Sequence, residues 1–168
     1  MVKKAEVLHQ KALDLLAERK VPLEKIADLV MFLQEKYIED LSFELCMESV
    51  HSVLEKREVQ NAVITGIQLD ILAEQKALLQ PLQDILIEDE GLYGIDEIMA
   101  LSIVNVYGSI GFTNYGYIDK VKPGILEELN THQDGVCNTF LDDIVGAIAA
   151  AAASRIAHAH PDKSDITK

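Results

Sequence analysis

Apolar residues recur along the first half of this chain at the spacing of an α-helix. From residue 5 to residue 86, apolar positions three and four apart form five stripes. Pro22 suits the first turn of the second helix, and Ser42 suits the N-cap of the third. The fourth stripe begins at Val59 and could continue directly from the third. The pattern therefore predicts a series of amphipathic helices.

The second half contains two strongly apolar segments with a different region between them. Residues 94–106 are apolar nearly all round, which predicts a buried helix. The β-branched run at 101–110 could form a strand, but a single strand would have no partner. Residues 108–125 are rich in Gly and Tyr, and we expect a loop with one short helix there. Residues 140–159 predict a long final helix with small side chains, which let neighbouring helices approach closely.

These elements predict an all-α fold with about six to eight helices around a buried central helix. The central helix is expected at 94–106 or at 140–159. The chain has 168 residues, of which 49% are hydrophobic, so it can bury a proper core. We expect one compact domain over residues 1–160, followed by a frayed polar tail at 161–168.

The charge balance restricts the partners of the protein. The net charge is −13, so repulsion disfavours binding to nucleic acid or to a bare anionic membrane. The first residues lack a secretory signal, and no uncharged apolar run reaches the roughly 18 residues that suggest a membrane span. We therefore expect a cytoplasmic protein in which Cys46 and Cys137 are reduced thiols.

Adjacent carboxylates open both strongly apolar helices. Asp142 and Asp143 begin the last helix, and Asp96 and Glu97 begin the helix at 94–106. A structural interpretation makes Thr139 an N-cap and Asp142 its capping-box partner. However, consecutive helical residues point about 100° apart, so at least one acid of each pair should face inward. Burying an unpaired carboxylate is costly, and Mg²⁺ or Mn²⁺ would compensate for it.

Other acidic residues have two interpretations each. Asp119 and Lys122 could form a surface salt bridge, or the acid could bind a metal while the lysine contacts a phosphate oxygen. Asp70 continues an apolar stripe, so it is either a helix edge or another inward acid. The acidic run at 88–90 is expected to be solvated.

The segments "GIDEI", "DKVKP" and "FLDDIVGAI" occur in this order within residues 94–150. Their order and spacing resemble the motifs of the phosphatidylglycerophosphatase A family, and in particular its shorter soluble relatives in Gram-positive bacteria. The family motifs fall on Asp96, Glu97, Asp119, Lys122, Pro123, Asp142 and Asp143.

This resemblance implies an enzyme that removes phosphate from phosphatidylglycerophosphate in a Mg²⁺-dependent reaction and so makes phosphatidylglycerol. It implies catalytic roles for Asp142, Asp143 and Lys122, with either water or an aspartate as the nucleophile. The metal ligands implied by the resemblance are Asp96, Glu97, Asp119, Asp142 and Asp143.

The expected partner is an anionic phosphomonoester, including a phospholipid at the membrane surface. Location would then be cytoplasmic with transient contact at the inner membrane face, and the small-residue helix face also fits a homo-oligomer. The alternative hypothesis is a non-enzymatic helical interaction or stress-response protein that keeps the acidic motifs as helix caps.

Overall fold

The structure, a computed structural model, describes the backbone of residues 2–160 and the side chains of residues 5–160. These residues form nine α-helices and one 3-10 helix, and they contain no strand. The prediction of an all-α fold is confirmed. The tail at 161–168 lies outside the described residues, so its fraying stays a prediction.

The helices follow one another with short connections. In chain order they are α1 (Val2–Glu18), α2 (Leu23–Gln34), α3 (Phe43–Leu54), α4 (Arg57–Glu74), α5 (Leu82–Ile87), α6 (Ile95–Val104), α7 (Gly108–Val121), α8 (Ile125–Asn130) and α9 (Leu141–Ala159), with the 3-10 helix Asn105–Tyr107 between α6 and α7.

The last helix, α9, is the centre of the fold. Helices α2, α3, α4, α6, α7 and α8 all contact it, and every residue from 141 to 154 is buried. Its alanines leave room for neighbouring backbones, and Ser49 of α3 donates a hydrogen bond of 2.8 Å to the Ala152 carbonyl. Gly66 of α4 lies so close that an added Cβ would overlap the Ile144 side chain. The expectation of a buried helix at 140–159 is therefore correct.

Two local predictions about helix ends have different outcomes. Ser42 does cap α3, because its hydroxyl accepts a hydrogen bond of 3.1 Å from the Leu45 amide. The suggested continuity of α3 and α4 is wrong, since Lys56 adopts an extended conformation with φ −72° and ψ 128°. This break lets α4 change direction and pack against α1 and α6.

Residues 108–121, predicted to be mainly loop, form the 14-residue helix α7. The prediction was wrong because it relied on the low helix propensity of Gly, which tertiary packing overrides here. Gly111, Tyr115 and Ile118 form the buried side of α7. At Gly111, an added Cβ would lie 3.0 Å from the Val104 carbonyl oxygen, so glycine allows this close approach.

Helices α6 and α7 form a hairpin along α9. Lys122, just after α7, bonds to Asp142 at the start of α9 (2.9 Å), whereas Asn114 earlier in α7 bonds to Ser154 near its end (3.4 Å). The chain reverses near Gly108, whose φ of +74° suits glycine. The open end of the hairpin therefore lies beside the first turn of α9.

The prediction that residues 94–106 form a buried helix is wrong for most of that segment. Only Ala100, Ile103 and Val104 of α6 are buried, while Ile95 and Ile98 are 50% and 61% exposed. The reason is that α6 lies on the surface of α9 and only one side is covered.

Candidate functional site

The ammonium group of Lys122 lies among three carboxylates where α7 ends and α9 begins. Its Nζ atom is 2.6 Å from Asp119 Oδ1, 2.9 Å from Asp142 Oδ2 and 3.8 Å from Asp143 Oδ1. Lys122 is the C-cap of α7 in the left-handed conformation, with φ 49°. Such a position favours glycine, so the lysine side chain is retained at a conformational cost.

The two adjacent acids of α9 are almost fully buried. Asp142 is 7% exposed and Asp143 is 6% exposed. Burial raises the pKa of Asp142, and burial together with the Asp142 charge raises the pKa of Asp143 to about 8. Burial opposes the charge on Lys122, but Asp142 and Asp119 raise the lysine pKa above its ordinary value. Without a further cation, the Asp142–Asp143 pair therefore binds a proton more strongly than two solvated carboxyl groups would.

Two more oxygen atoms at this site are buried and have no hydrogen-bond partner among the described residues. They are Oδ1 of Asp96, at the start of α6, and the hydroxyl of Tyr115 in α7. Burial raises the pKa of Asp96, and the Asp119 charge contributes in the same direction. Tyr115 lies beside Asp143 and is 6% exposed. Buried polar groups are rarely left unpaired, so the Asp96 oxygen suggests room for a bound group, whereas the Tyr115 hydroxyl already has the Asp143 carboxyl beside it.

Not every predicted site residue joins this cluster. Asp119, Asp142 and Asp143 surround Lys122, and Asp96 is their neighbour, but Glu97 is exposed on α6. Within the described part of the chain, no three acidic, His or Cys side chains are already arranged to hold a metal ion. In this arrangement Lys122 is the cation that compensates the carboxylates.

The capping-box interpretation of Asp142 is wrong. Thr139 donates its hydroxyl hydrogen bond to the Leu86 carbonyl (2.7 Å), and neither it nor Phe140 caps α9 with its side chain. Asp142 Oδ1 instead accepts a hydrogen bond of 2.9 Å from the amide of Asp143.

Asp70 of α4 supplies the missing cap from a distant part of the sequence. This fully buried residue accepts hydrogen bonds from the amides of Phe140 (3.1 Å) and Leu141 (3.0 Å). One turn later, Glu74 accepts a bond from the Cys137 amide (2.8 Å) and pairs with Arg19 (2.7 Å). Asp70 is therefore an inward acid, and α4 fixes the start of the helix that carries the site.

We expect Asp70 to make folding stability fall as pH rises from about 4 to 7. Burial raises its pKa from 3.8 to about 7, although the Phe140 and Leu141 amides oppose this. Between these values the folded protein retains a proton that the unfolded chain has lost. The stability difference is at most about 4 kcal/mol. Urea unfolding of Asp70→Asn should show a weaker pH dependence over this range.

A suitable control for that experiment is Asp134→Asn, because the Asp134 side chain is fully exposed. The control should retain the pH dependence of the wild type. An unchanged pH dependence in Asp70→Asn would contradict the assignment.

An open cavity of about 280 Å³ reaches the acidic cluster at Asp142. The run at 88–90 is exposed, as expected, but Asp89 borders this cavity, and its charge helps to raise the pKa of Asp96 and Asp142. Sequence reasoning missed this proximity. Polar residues lining the cavity include Glu88, Asp89, Asn130, Thr131, His132, Asn138 and Thr139.

The family model of phosphatidylglycerophosphatase A matches residues 23–158, which is most of the chain and includes every helix of the site. The chain belongs to the phosphatidylglycerophosphatase A family. The match begins well before residue 94, where the recognisable motifs start. It therefore includes α4, which contributes Asp70 to the start of α9.

Relatives of this phosphatidylglycerophosphatase A family member match nearly the whole chain in sequence, and two of them also match it in structure. The uncharacterized protein YutG of Bacillus subtilis is 62% identical over 90% of this chain and 91% of its own. The low temperature requirement C protein from Listeria monocytogenes has 66% sequence identity to this chain. Its crystal structure matches with a TM-score of 0.90, and the match covers 92% of this chain and 98% of the Listeria chain. A Bacillus stearothermophilus protein of unknown function is 67% identical, with a TM-score of 0.88 over 90% and 94% of the two chains.

Proposed function

We propose that this protein hydrolyses the phosphomonoester of phosphatidylglycerophosphate with the help of Mg²⁺ or Mn²⁺. Family membership supports a phosphatidylglycerophosphatase-like activity. The observation that carries the proposal is the convergence of Asp119, Asp142 and Asp143 on Lys122, beside the unpartnered Asp96 oxygen.

The donor set suits a hard divalent cation. Such cations prefer carboxylate oxygens, and the buried Asp96 Oδ1 lacks any other partner among the described residues. When bound, the cation would offset phosphate charge and lower the pKa of a bound water. The exposed Glu97 is a less suitable ligand in this conformation. The residues that would hold the cation are Asp96, Asp119, Asp142 and Asp143.

Lys122 would have a different role once a divalent cation offsets the negative charge of the carboxylates. In the present arrangement it pairs with Asp119 and Asp142. A flexible lysine side chain can turn its ammonium toward a phosphate oxygen. There it would offset the charge that develops on the phosphoryl group during transfer to water. Water adds to phosphorus, the bond to the glycerol oxygen breaks, and phosphatidylglycerol and inorganic phosphate are released.

The cavity beside Asp142 would accommodate the polar part of the substrate. Its volume of about 280 Å³ and its polar lining suit a glycerol group better than an acyl chain. Thr131 and Asn138 offer neutral hydrogen-bonding groups there. We propose that the headgroup enters this cavity while the phosphate lies against the acidic cluster.

Phosphate release from short-chain phosphatidylglycerophosphate tests the proposal. Purified protein should release phosphate in the presence of Mg²⁺, EDTA should abolish the release, and excess Mg²⁺ should restore it. Binding of Mn²⁺, followed by electron paramagnetic resonance, provides a readout that does not require turnover. Turnover that persists in EDTA would refute the metal dependence, and no hydrolysis of any phosphomonoester would refute the enzyme assignment.

One observation favours the alternative of a non-enzymatic interaction or stress-response protein. Lys122 already compensates the acids, so the cluster is a complete ion-pair network without a metal. The Listeria relative is named for a requirement at low temperature, which also fits a stress-response role. This alternative predicts neither Mn²⁺ binding nor phosphate release.

A further inference from the structure

The α6–α7 hairpin carries several exposed apolar side chains that the fold leaves uncovered, together with exposed polar residues such as Thr113 and Lys120. Residues 98–118 contain no Asp, Glu, Lys, Arg or His, although 26% of the whole chain is charged. Both helices pack on α9 with one side, so their other side faces outward. We call this outer surface the hairpin face. Its exposed apolar residues include Ile95, Ile98, Val106, Ile110, Phe112 and Val121.

The hairpin is apolar enough to interact with a lipid bilayer. By length and composition alone, the stretch Ile95–Val121, which comprises α6, the 3-10 helix and α7, is apolar enough for a bilayer, with mean hydropathy 1.2. Only 22% of its most apolar window is buried inside the fold. A core helix of comparable hydropathy would be mostly covered, so burial in the protein does not explain this composition.

The hairpin geometry favours a helix pair that lies on a bilayer. The chain reverses near Gly108, so α6 and α7 extend separately for about 15 and 21 Å. Both are shorter than the hydrocarbon core of about 30 Å. Hydrogen bonds to α9 at Asn114 and Lys122 also hold the hairpin on the protein. A short helix pair that is uncharged over residues 98–118 and held in this way can lie in the interface between headgroups and acyl chains without spanning the bilayer.

We propose that the hairpin face docks on a phospholipid bilayer and brings the acidic site to its lipid substrate. This inference rests on the proposed function, because the open end of the hairpin carries Asp96 and Asp119. Charge selects the bilayer over a second copy. Two copies would each carry −13 and repel one another, whereas a zwitterionic bilayer has no net charge to repel the protein.

Flotation with phosphatidylcholine vesicles in EDTA tests this docking. Wild-type protein should bind, and Ile98→Glu and Phe112→Glu should each reduce the bound fraction at least about tenfold, since each adds a charge to a buried apolar contact. Both side chains are exposed, at 61% and 39%, so folding should persist. Leu79→Glu is the matched control, because Leu79 is 72% exposed outside the hairpin and should leave binding unchanged.

Three results would overturn the docking inference. The first is the absence of vesicle binding by the wild type. The second is binding that requires Mg²⁺, which would indicate bridging by carboxylates. The third is a wild-type dimer in light scattering that Ile98→Glu converts to a monomer, because a second copy would then cover the face.

Hydrolysis assays separate this inference from the proposed function. Ile98→Glu should hydrolyse dispersed short-chain substrate at the wild-type rate but vesicle-embedded substrate at least about tenfold more slowly. Equal rates on vesicles would overturn the docking inference and leave the phosphatase intact. Vesicle binding without any hydrolysis would support docking and refute the phosphatase.

Discussion

Replacing Asp142 and Asp143 together with Asn is expected to reduce phosphate release by at least about 100-fold. Replacing a residue that only hydrogen-bonds to a metal ligand lowers metal affinity or activity by up to about 100-fold, and Asp142 and Asp143 are proposed as direct ligands. Asn keeps the shape of the Asp side chain. In the double variant, the side-chain oxygen at position 142 can still accept the hydrogen bond from the backbone amide of residue 143 in the first turn of α9. Loss of activity should therefore accompany loss of Mn²⁺ binding while the fold is retained.

The stability of Asp143→Asn provides an independent check of the site electrostatics. The folded-state pKa of Asp143 is raised from 3.8 to about 8, so the wild type loses stability as pH rises through this range. Asn has no proton to lose. In EDTA, the variant should match the wild type near pH 3, below both pKa values of Asp143, and be more stable at pH 9, as measured by urea unfolding. A variant less stable at pH 9 would contradict this.

Asp28→Asn is the control for the activity measurement, because Asp28 forms only a long surface pair of 3.9 Å with Lys25. It should retain full activity and Mn²⁺ affinity. If the Asp142→Asn, Asp143→Asn double variant were as active as this control, the two acids would have a structural role only.

The central helix could be predicted from sequence because local pattern and tertiary role agree there. Residues 140–159 combine small and branched apolar residues with two acids at the start, and α9 begins at Leu141 and ends at Ala159. Burial on every side was therefore readable from composition. The same reasoning was wrong for α6, because composition does not reveal that one side lacks a protein neighbour.

The helix α7 was not predictable from local propensity. Gly111 favours loops by itself, but in the fold its missing side chain permits close contact with Val104. Tyr115 and Ile118 then anchor the same side of α7 against α9. Such stabilisation depends on a helix that is about 30 residues away in the chain.

The candidate site was partly readable from its local acid pairs. Helical rotation required one acid of each pair to face inward, and Asp96 does so while Glu97 is exposed. Asp70 could not be assigned, because its partners, the Phe140 and Leu141 amides, are 70 residues away. Only the position of Asp70 in an apolar stripe indicated that it faces inward.

Removing the Lys122 side chain is expected to destabilise the metal-free protein by about 3 kcal/mol, the lower end for breaking a buried ion pair. Its ammonium is the nearest compensating charge for Asp119 and Asp142, and the side chain is only 23% exposed. Urea unfolding of Lys122→Met in EDTA measures this loss. Lys120→Met is the matched control, since Lys120 is exposed on the same helix and should change little.

Metal dependence distinguishes the two functions proposed for Lys122. If the carboxylates bind a divalent cation, Lys122→Met should bind Mn²⁺ more tightly than wild type, because a competing ammonium is gone, and Mn²⁺ should restore its stability. Phosphate release should still fall at least about tenfold, because no lysine offsets the phosphoryl charge. Lys122→Gly also removes the ammonium group, but glycine adopts the left-handed φ of 49° without strain. The difference in stability between Lys122→Gly and Lys122→Met therefore measures the backbone strain at this position. Destabilisation of both variants with no rescue by Mn²⁺ would identify Lys122 as part of a structural ion-pair network and refute the metal site.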